Sequence, residues 1–493
     1  MIYLLFNEER YENDIRALLM AFYHGEKILA RNITNLEEKI YDYTPSDKIL
    51  RVIYKGESVS LCLYDNQGKL LGEGCCEQLP KERKAGKDVL KICLYDVLSK
   101  VTGKELPWGT LTGIRPTKIP LSFYEEGFSR NEAAENLRKV YKTSEEKIQL
   151  CTQVAQNEKR ILDSVDYKKS LSLYIGIPFC PTICLYCSFS AYPLNVWKKE
   201  VDNYLNALFK EIRKVSEMVK DYKLTSVYMG GGTPTSLEAD QMNRLLCVLE
   251  QSFDLSTIEE FTIEAGRPDS VTMDKLRVIK AHGIERISIN PQTLNQKTLD
   301  IIGRRHTVED VENAFHMARQ AGFNNINMDI ILGLPGETAE DVTKTLEGIH
   351  RLNPESMTVH SLAVKRASRL NQNLELYPPA HHEEVNRMIH MAWKEAEVMG
   401  MEPYYLYRQK NIAGNLENVG YAKPGKECLY NILIMEEKQS IIALGAGGSS
   451  KIVIPEENRI ERVENVKSVK DYIERIDEMI GRKMEKFPNF GIF

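Results

Sequence analysis

Leu171-Ser-Leu-Tyr174-Ile-Gly-Ile-Pro178-Phe-Cys180-Pro-Thr-Ile-Cys184-Leu-Tyr186-Cys187 is the stretch on which the reading of this 493-residue chain turns. Its first seven residues form an apolar run of strand character, and a proline follows at once. The C-x3-C-x2-C spacing then sets three thiolates around one small volume. Thiolates hold iron–sulfur clusters, four to a complete cluster. Three of them on a four-iron cube leave one iron open, as catalytic metal sites keep a vacant position. The amino and carboxylate groups of S-adenosylmethionine (SAM) suit such an iron. A structural zinc site is the rival reading, but it needs a fourth ligand, and no histidine or cysteine follows at finger-like spacing. The third reading is of buried cysteines with no shared role.

Outward from this stretch the chain repeats strand, turn and helix. Apolar strands are predicted near 171–177, 224–229, 259–265, 284–290, 324–332 and 355–362, with amphipathic helices such as Leu237–Gln251 and Val308–Ala321 between them. Such alternation implies an α/β fold with a parallel sheet and outer helices. Six units make an open, partial (β/α)6 barrel rather than a closed eight. In parallel barrels chemistry gathers at the C-terminal strand ends. Gly231, Gly232, Thr233, Glu264, Gln292 and Asp329 fall at such ends, with Arg304 shortly beyond. Glycines there let backbone approach a ligand. The charged residues adjoin apolar strands, so each needs a partner. A structural ion pair between Arg304 and one of the acids is the plain alternative.

Three domains are expected: residues 1–165 as an N-terminal α/β unit, 166–375 as the barrel, and 376–493 as an α+β extension closing the site. In the first, strands at Ile2–Phe6, Ile49–Tyr54 and Ser58–Tyr64 accompany helices from Tyr11, Asp88, Arg130 and Ser144, and Trp108–Pro120 reads as a loop. In the last, a helix at His382–Met399 precedes an aromatic strand. A hairpin with arms Tyr430–Met435 and Ser440–Leu444, a helix from Val466 to Ile480 and a loose tail follow. Composition is globular, with 43% hydrophobic residues, 27% charged residues and a net charge of −5. Without a basic patch, nucleic acid is an unsuitable partner. No apolar run reaches the roughly 18 residues of a membrane span, and the N-terminus lacks a signal peptide, so a cytoplasmic protein is expected. The other seven cysteines read as reduced and structural, with Cys75-Cys76 as a candidate redox pair. The runs Glu37-Glu38-Lys39 and Glu456–Glu464 read as solvated faces.

The cysteine run, Gly230-Gly-Gly-Thr-Pro-Thr235, Thr262-Ile-Glu-Ala265, Arg286–Gln292 and Asp329–Gly336 together resemble the radical SAM enzymes. Within them the sequence resembles the oxygen-independent coproporphyrinogen oxidase and heme-chaperone branch. Trp108–Lys118 and Tyr404–Lys410 are similar to its HemZ-type coproporphyrinogen dehydrogenases. The resemblance spans roughly Leu171 to Lys451. It implies a 4Fe-4S cluster on Cys180, Cys184 and Cys187 with SAM at the open iron. It places Tyr174 at the SAM methionyl part or the substrate as a catalytic residue, and Tyr186 near the adenine. Gly231, Gly232 and Thr233 would meet the SAM carboxylate or amine, Glu264, Gln292 and Asp329 its ribose or amine, and Arg304 its carboxylate. Gly445–Ser450 resembles the turn that closes over the site.

The implied activity is that of an oxidoreductase of heme biosynthesis, turning propionates of coproporphyrinogen III into the vinyls of protoporphyrinogen IX. The implied partners are a tetrapyrrole and an electron donor such as flavodoxin or ferredoxin. Lys365, Arg366, Arg408 and Arg115 are candidate cations for substrate carboxylates. Four residues depart from the relatives. Phe189 stands where the anaerobic oxidases carry a further cysteine. Leu433 and Lys451 stand where they hold a second SAM. Tyr430-Asn431 replaces the His-Asn pair of the heme chaperones. A heme-trafficking chaperone and a radical SAM transferase acting on a porphyrin are the alternative functions.

Overall fold

The computed structural model describes residues 1–33, 47–167, 170–378, 380–409, 416–454, 457 and 459–486. Glu37-Glu38-Lys39, Lys410, Glu456 and the tail from 487 lie outside the described residues. The chain divides into two compact units, Met1–Gln156 and Asn157–Phe493.

In the first unit β1 (Ile2–Phe6) pairs in parallel with β2 (Ile28–Asn32) and β3 (Lys48–Lys55). An antiparallel ladder then runs through β4 (Ser58–Asp65) and β5 (Leu70–Cys76). Alternation along β3 and β4 sends Leu50, Val52, Leu61 and Leu63 into a core shared with the helices Glu12–Phe22 and Arg83–Thr102. The same alternation separates the suspected redox pair. Cys75 is exposed, while Cys76 is buried beside Cys93, because successive strand residues face opposite sides. The Trp108–Pro120 loop gives way at Lys118 to a helix, Lys118–Glu125.

The second unit is built on an 11-stranded sheet. Its centre is six parallel strands, β6 (Ser170–Ile177), β9 (Lys223–Gly231), β10 (Glu260–Glu264), β11 (Arg286–Ser288), β12 (Asn325–Leu332) and β13 (Ser356–Ser361), numbered around the two short strands β7 (Phe179–Cys180) and β8 (Tyr192–Pro193). This is the partial (β/α)6 barrel. Strand β12 shows how one sequence serves two faces. Ile326, Met328, Ile330 and Leu332 are buried, whereas Asn325, Asn327 and Asp329 share the opposite, polar face. In register with that polar face stand Ser172, Ser226, Tyr228, Thr262, Glu264, Ser288 and Thr358. The inside of the barrel is therefore hydrogen-bonding and aromatic, and the outside is aliphatic.

Both margins of the parallel core are extended. On one side β15 (Glu417–Ala422) lies antiparallel to β13, with β14 (Glu402–Arg408) beyond it. On the other, β16 (Ile441–Leu444) joins β6 in parallel and carries β17 (Ser449–Ile454) and β18 (Arg459–Glu464). The hairpin expected at Tyr430–Leu444 is not formed, since Leu429–Glu436 is a helix. A short apolar run has no period of its own to decide between the two states. Here the Glu260 carboxylate accepts from the N–H groups of Leu429 (2.7 Å) and Tyr430 (3.4 Å), satisfying a helix start with an anion. The C-terminal helix is likewise two pieces, Val469–Glu474 and Ile476–Lys486.

Candidate active site

The cysteine loop is fastened before it does any chemistry. Leu185 N–H donates to the Ile302 carbonyl (2.9 Å), the Thr182 hydroxyl to that of Gly303 (3.2 Å), and Leu370 N–H to that of Leu185 (2.9 Å). Cys180, Cys184 and Cys187 all face one cavity of about 520 Å³, inside the roughly 300–1,000 Å³ of ligand sites. Among the described residues no three His, Cys, Asp or Glu side chains converge on a single-ion point. Each of the first two sulfurs accepts a hydrogen bond, Cys180 from Thr233 Oγ1 and Cys184 from Arg267 Nη1, both at 3.5 Å. Burial pushes the Cys180 thiol up to about 11 and raises Cys187. The glycine run is needed where it stands. A Cβ on Gly232 would sit 2.6 Å from the Phe179 carbonyl oxygen, and Gly231 has φ +111°.

Opposite the thiols the barrel supplies a polar wall. The Tyr228 hydroxyl donates to Glu264 Oε1 at 2.6 Å. Burial pushes Glu264 up to about 7 against that bond and the Gly231 N–H, with the Asp329 charge adding to the rise. Burial also pushes Asp329 upward, but bonds from His360, Asn327 and Thr358 outweigh it and hold the acid below its usual range. Asn327 Nδ2 lies 2.7 Å from Asp329 Oδ1, and His360 Nε2 3.8 Å from Oδ2. Gln292 adopts φ +67°, donating its N–H to the Asp329 carbonyl and accepting from Ile331 N–H, both at 2.9 Å. A non-glycine residue held there is strained, and such strain clusters at functional sites.

Arg304 is buried without an acidic partner among the described residues. Its Nη1 donates to the carbonyls of Asn290 and Gly266, Tyr186 and Cys184 lie beside it, and its Nε has no partner. The ion pair expected as the plain alternative falls instead to Arg267 and Asp269, at 2.8 Å.

Of the nominated residues, the three cysteines, Tyr186, Gly231, Gly232, Thr233, Glu264, Gln292, Arg304, Asp329 and Lys365 share the cavity wall. Tyr174 does not. Its ring stacks on Tyr228 (6.4 Å) and Tyr430 (6.3 Å), behind the wall. The Gly445–Ser450 turn is also absent from the wall. Gly445 packs closely on β6, where a Cβ would lie 2.5 Å from the Gly176 oxygen. Arg366 is exposed and Arg408 is buried away from the lining, while Arg115 belongs to the other unit. Arg267, Asn290, His360 and Tyr407 line the cavity unforeseen. Polar residues at the ends of inward-facing strands were the available signal.

This donor set fits an iron–sulfur cluster and an amino-acid-bearing cofactor. Free soft sulfurs backed by the guanidinium groups of Arg267 and Arg304 suit an anionic cluster. The Glu264 and Asp329 carboxyls with the unpartnered Arg304 Nε offer both signs to a zwitterion. Residues 174–349 match the profile of the Radical SAM superfamily. The chain is 43% identical over 432 residues to the oxygen-independent coproporphyrinogen-III oxidase-like protein HemZ of Bacillus subtilis (strain 168), covering 85% of this chain and 86% of that one. It is 34% identical over 314 residues to the heme chaperone HemW of the same organism, covering 62% and 76%. The solved coproporphyrinogen III oxidase HemN of Escherichia coli aligns with a TM-score of 0.49 and 22% identity, over 65% of this chain and 72% of that one. The chain thus belongs to the radical SAM superfamily, whose members use a 4Fe-4S cluster and SAM, and within it to the oxygen-independent coproporphyrinogen-III oxidase-like family.

Proposed function

We propose that this protein decarboxylates propionate side chains of coproporphyrinogen III to vinyl groups without oxygen, yielding protoporphyrinogen IX. One observation carries the reading: three thiols and a wall of paired acids and arginine share a single cavity in a chain 43% identical to HemZ. Bound there, the cluster and SAM would supply hydrogen-abstracting radical chemistry, which is the cofactors' own. The chain's own residues hold and orient. Cys180, Cys184 and Cys187 ligate the cluster, with Thr233 and Arg267 fixing two of the sulfurs. Gly231, Gly232 and Thr233 bring backbone to the SAM amino-acid moiety, Arg304 meets its carboxylate, and Glu264, Gln292 and Asp329 accept from its amine or ribose. Tyr186 packs at the adenine, and Tyr174 positions the wall by stacking on Tyr228. Lys365, the one of the four candidate substrate cations that lines the cavity, anchors a substrate carboxylate. Each propionate loses one hydrogen atom, one carbon dioxide and one electron, the electron passing to an external one-electron acceptor. A flavodoxin or ferredoxin in the cytoplasm supplies the reducing electron. Among the described residues no helix is long and apolar enough to cross a membrane.

The heme-chaperone reading draws on the 34% identity to HemW. Against it, Tyr430 is buried and stacked 4.6 Å from Tyr228 rather than presented as a ligand. Anaerobic incubation of reconstituted protein with SAM, a reductant and coproporphyrinogen III, read by mass spectrometry, tests the proposal. Loss of two carbon dioxide units supports it. Unchanged porphyrinogen overturns it, stoichiometric heme binding with no product favours the chaperone, and a methylated or linear product favours a transferase.

A further inference from the structure

A second cleft, of about 590 Å³, lies on the outer side of the cysteine loop. Thr182, Ile183 and Arg304 line both this cleft and the inner cavity, so one layer of chain separates them. The cleft is open and basic. Arg305 and Arg369 line it, both are exposed, and neither is ion-paired among the described residues. Val196, 70% exposed, lines it too. Asp300, already hydrogen-bonded by Gln296, is the cleft's acid. The chain as a whole carries a net charge of −5, so local positive charge here runs against the average.

We propose that this cleft is the docking face for a small acidic one-electron carrier protein, which reduces the cluster across the cysteine loop. The inference rests on the three cysteines holding that cluster. An exposed apolar side chain beside two cations that are unpaired among the described residues suits a transient partner of opposite charge, because complementary charge raises the encounter rate and the apolar contact holds the complex briefly. Electron transfer needs close approach and no bond making, and Thr182 and Ile183, which stand between Cys180 and Cys184, line the outer cleft. In the step itself the donor gives up one electron and the cluster takes it up. With a flavodoxin as donor, the anionic hydroquinone becomes the neutral semiquinone and no proton moves.

The test uses the reconstituted full-length protein and a doubly reversed variant, Arg305→Glu with Arg369→Glu. Neither side chain belongs to the cavity wall. Cluster bleaching by flavodoxin hydroquinone is followed by stopped flow at low and high salt. Photoreduced deazariboflavin, an uncharged small reductant, serves in parallel, and binding of oxidised flavodoxin is measured by calorimetry. The expected result is an approximately tenfold or greater fall in both flavodoxin-driven rate and flavodoxin affinity, with the wild-type rate falling as salt rises and the deazariboflavin rate unchanged. Unchanged flavodoxin rate and affinity in the variant would overturn the proposal. Failure of both reductants to bleach wild-type protein would instead refute the cysteine assignment beneath it.

Discussion

Replacing Glu264 by glutamine tests the polar wall directly. The native carboxyl is pushed up to about 7 by burial, despite accepting from the Tyr228 hydroxyl at 2.6 Å. As an acceptor for SAM it works in its ionised form, so SAM binding favours loss of the proton and strengthens as pH rises through 7. With a titration point near 7, about one-eleventh of the protein is ionised at pH 6 and about ten-elevenths at pH 8. SAM affinity should therefore rise about tenfold over that interval. The glutamine variant cannot ionise. Its affinity should be flat across the interval and, at pH 8, weaker by about 1.5–3 kcal/mol, the worth of a hydrogen bond to a charged group. Calorimetric titration of SAM into anaerobically reconstituted protein at pH 6, 7 and 8 gives both quantities. A pH slope that persists in the variant would assign the titration to another group, and identical affinities at pH 8 would remove Glu264 from the SAM site.

Cys180→Ala, Cys184→Ala and Cys187→Ala should each abolish the brown absorbance and bound iron after reconstitution, while Cys151→Ala, at a buried thiol outside the cavity, should retain both. Gly232→Ala forces a Cβ against the backbone of Pro178 and Phe179, and should cost about 1–3 kcal/mol in unfolding and impair cluster loading. Gly113→Ala, with nothing within 4 Å, should melt like wild type. Lys483→Ala removes the counter-charge of Glu211, 2.8 Å away and equally buried, leaving the carboxylate only its hydrogen bonds from Asn465, Tyr472 and the Gly445 N–H, and should destabilise by about 3–5 kcal/mol by thermal or urea unfolding, because a buried charge loses its counterion.

The six parallel strands were legible because a strand covered by helices on one side reads as an apolar run and its chemistry stops at one end. The cavity wall was legible for the same reason: Glu264 and Asp329 are acids on strands that would otherwise be core. What was not legible is non-local. Nothing within Leu429–Glu436 announces that Glu260, 169 residues earlier, will cap it as a helix. Nor does Tyr174 reveal that Tyr228 and Tyr430 will stack on it and hold it off the cavity wall. His360 needed the register of neighbouring strands, because the Asp329–Thr358 pairing sets His360 beside the acid.

Strand β6 opens the barrel, yet its outer neighbour is β16, whose residues 441–444 come some 270 positions later. During synthesis that margin stays a row of unsatisfied amides while every other barrel strand finds its mate. Unguarded margins recruit other chains. A nascent or prematurely terminated polypeptide lacking β16 should therefore be retained by chaperones or precipitate, even with all three cysteines and every barrel strand already made.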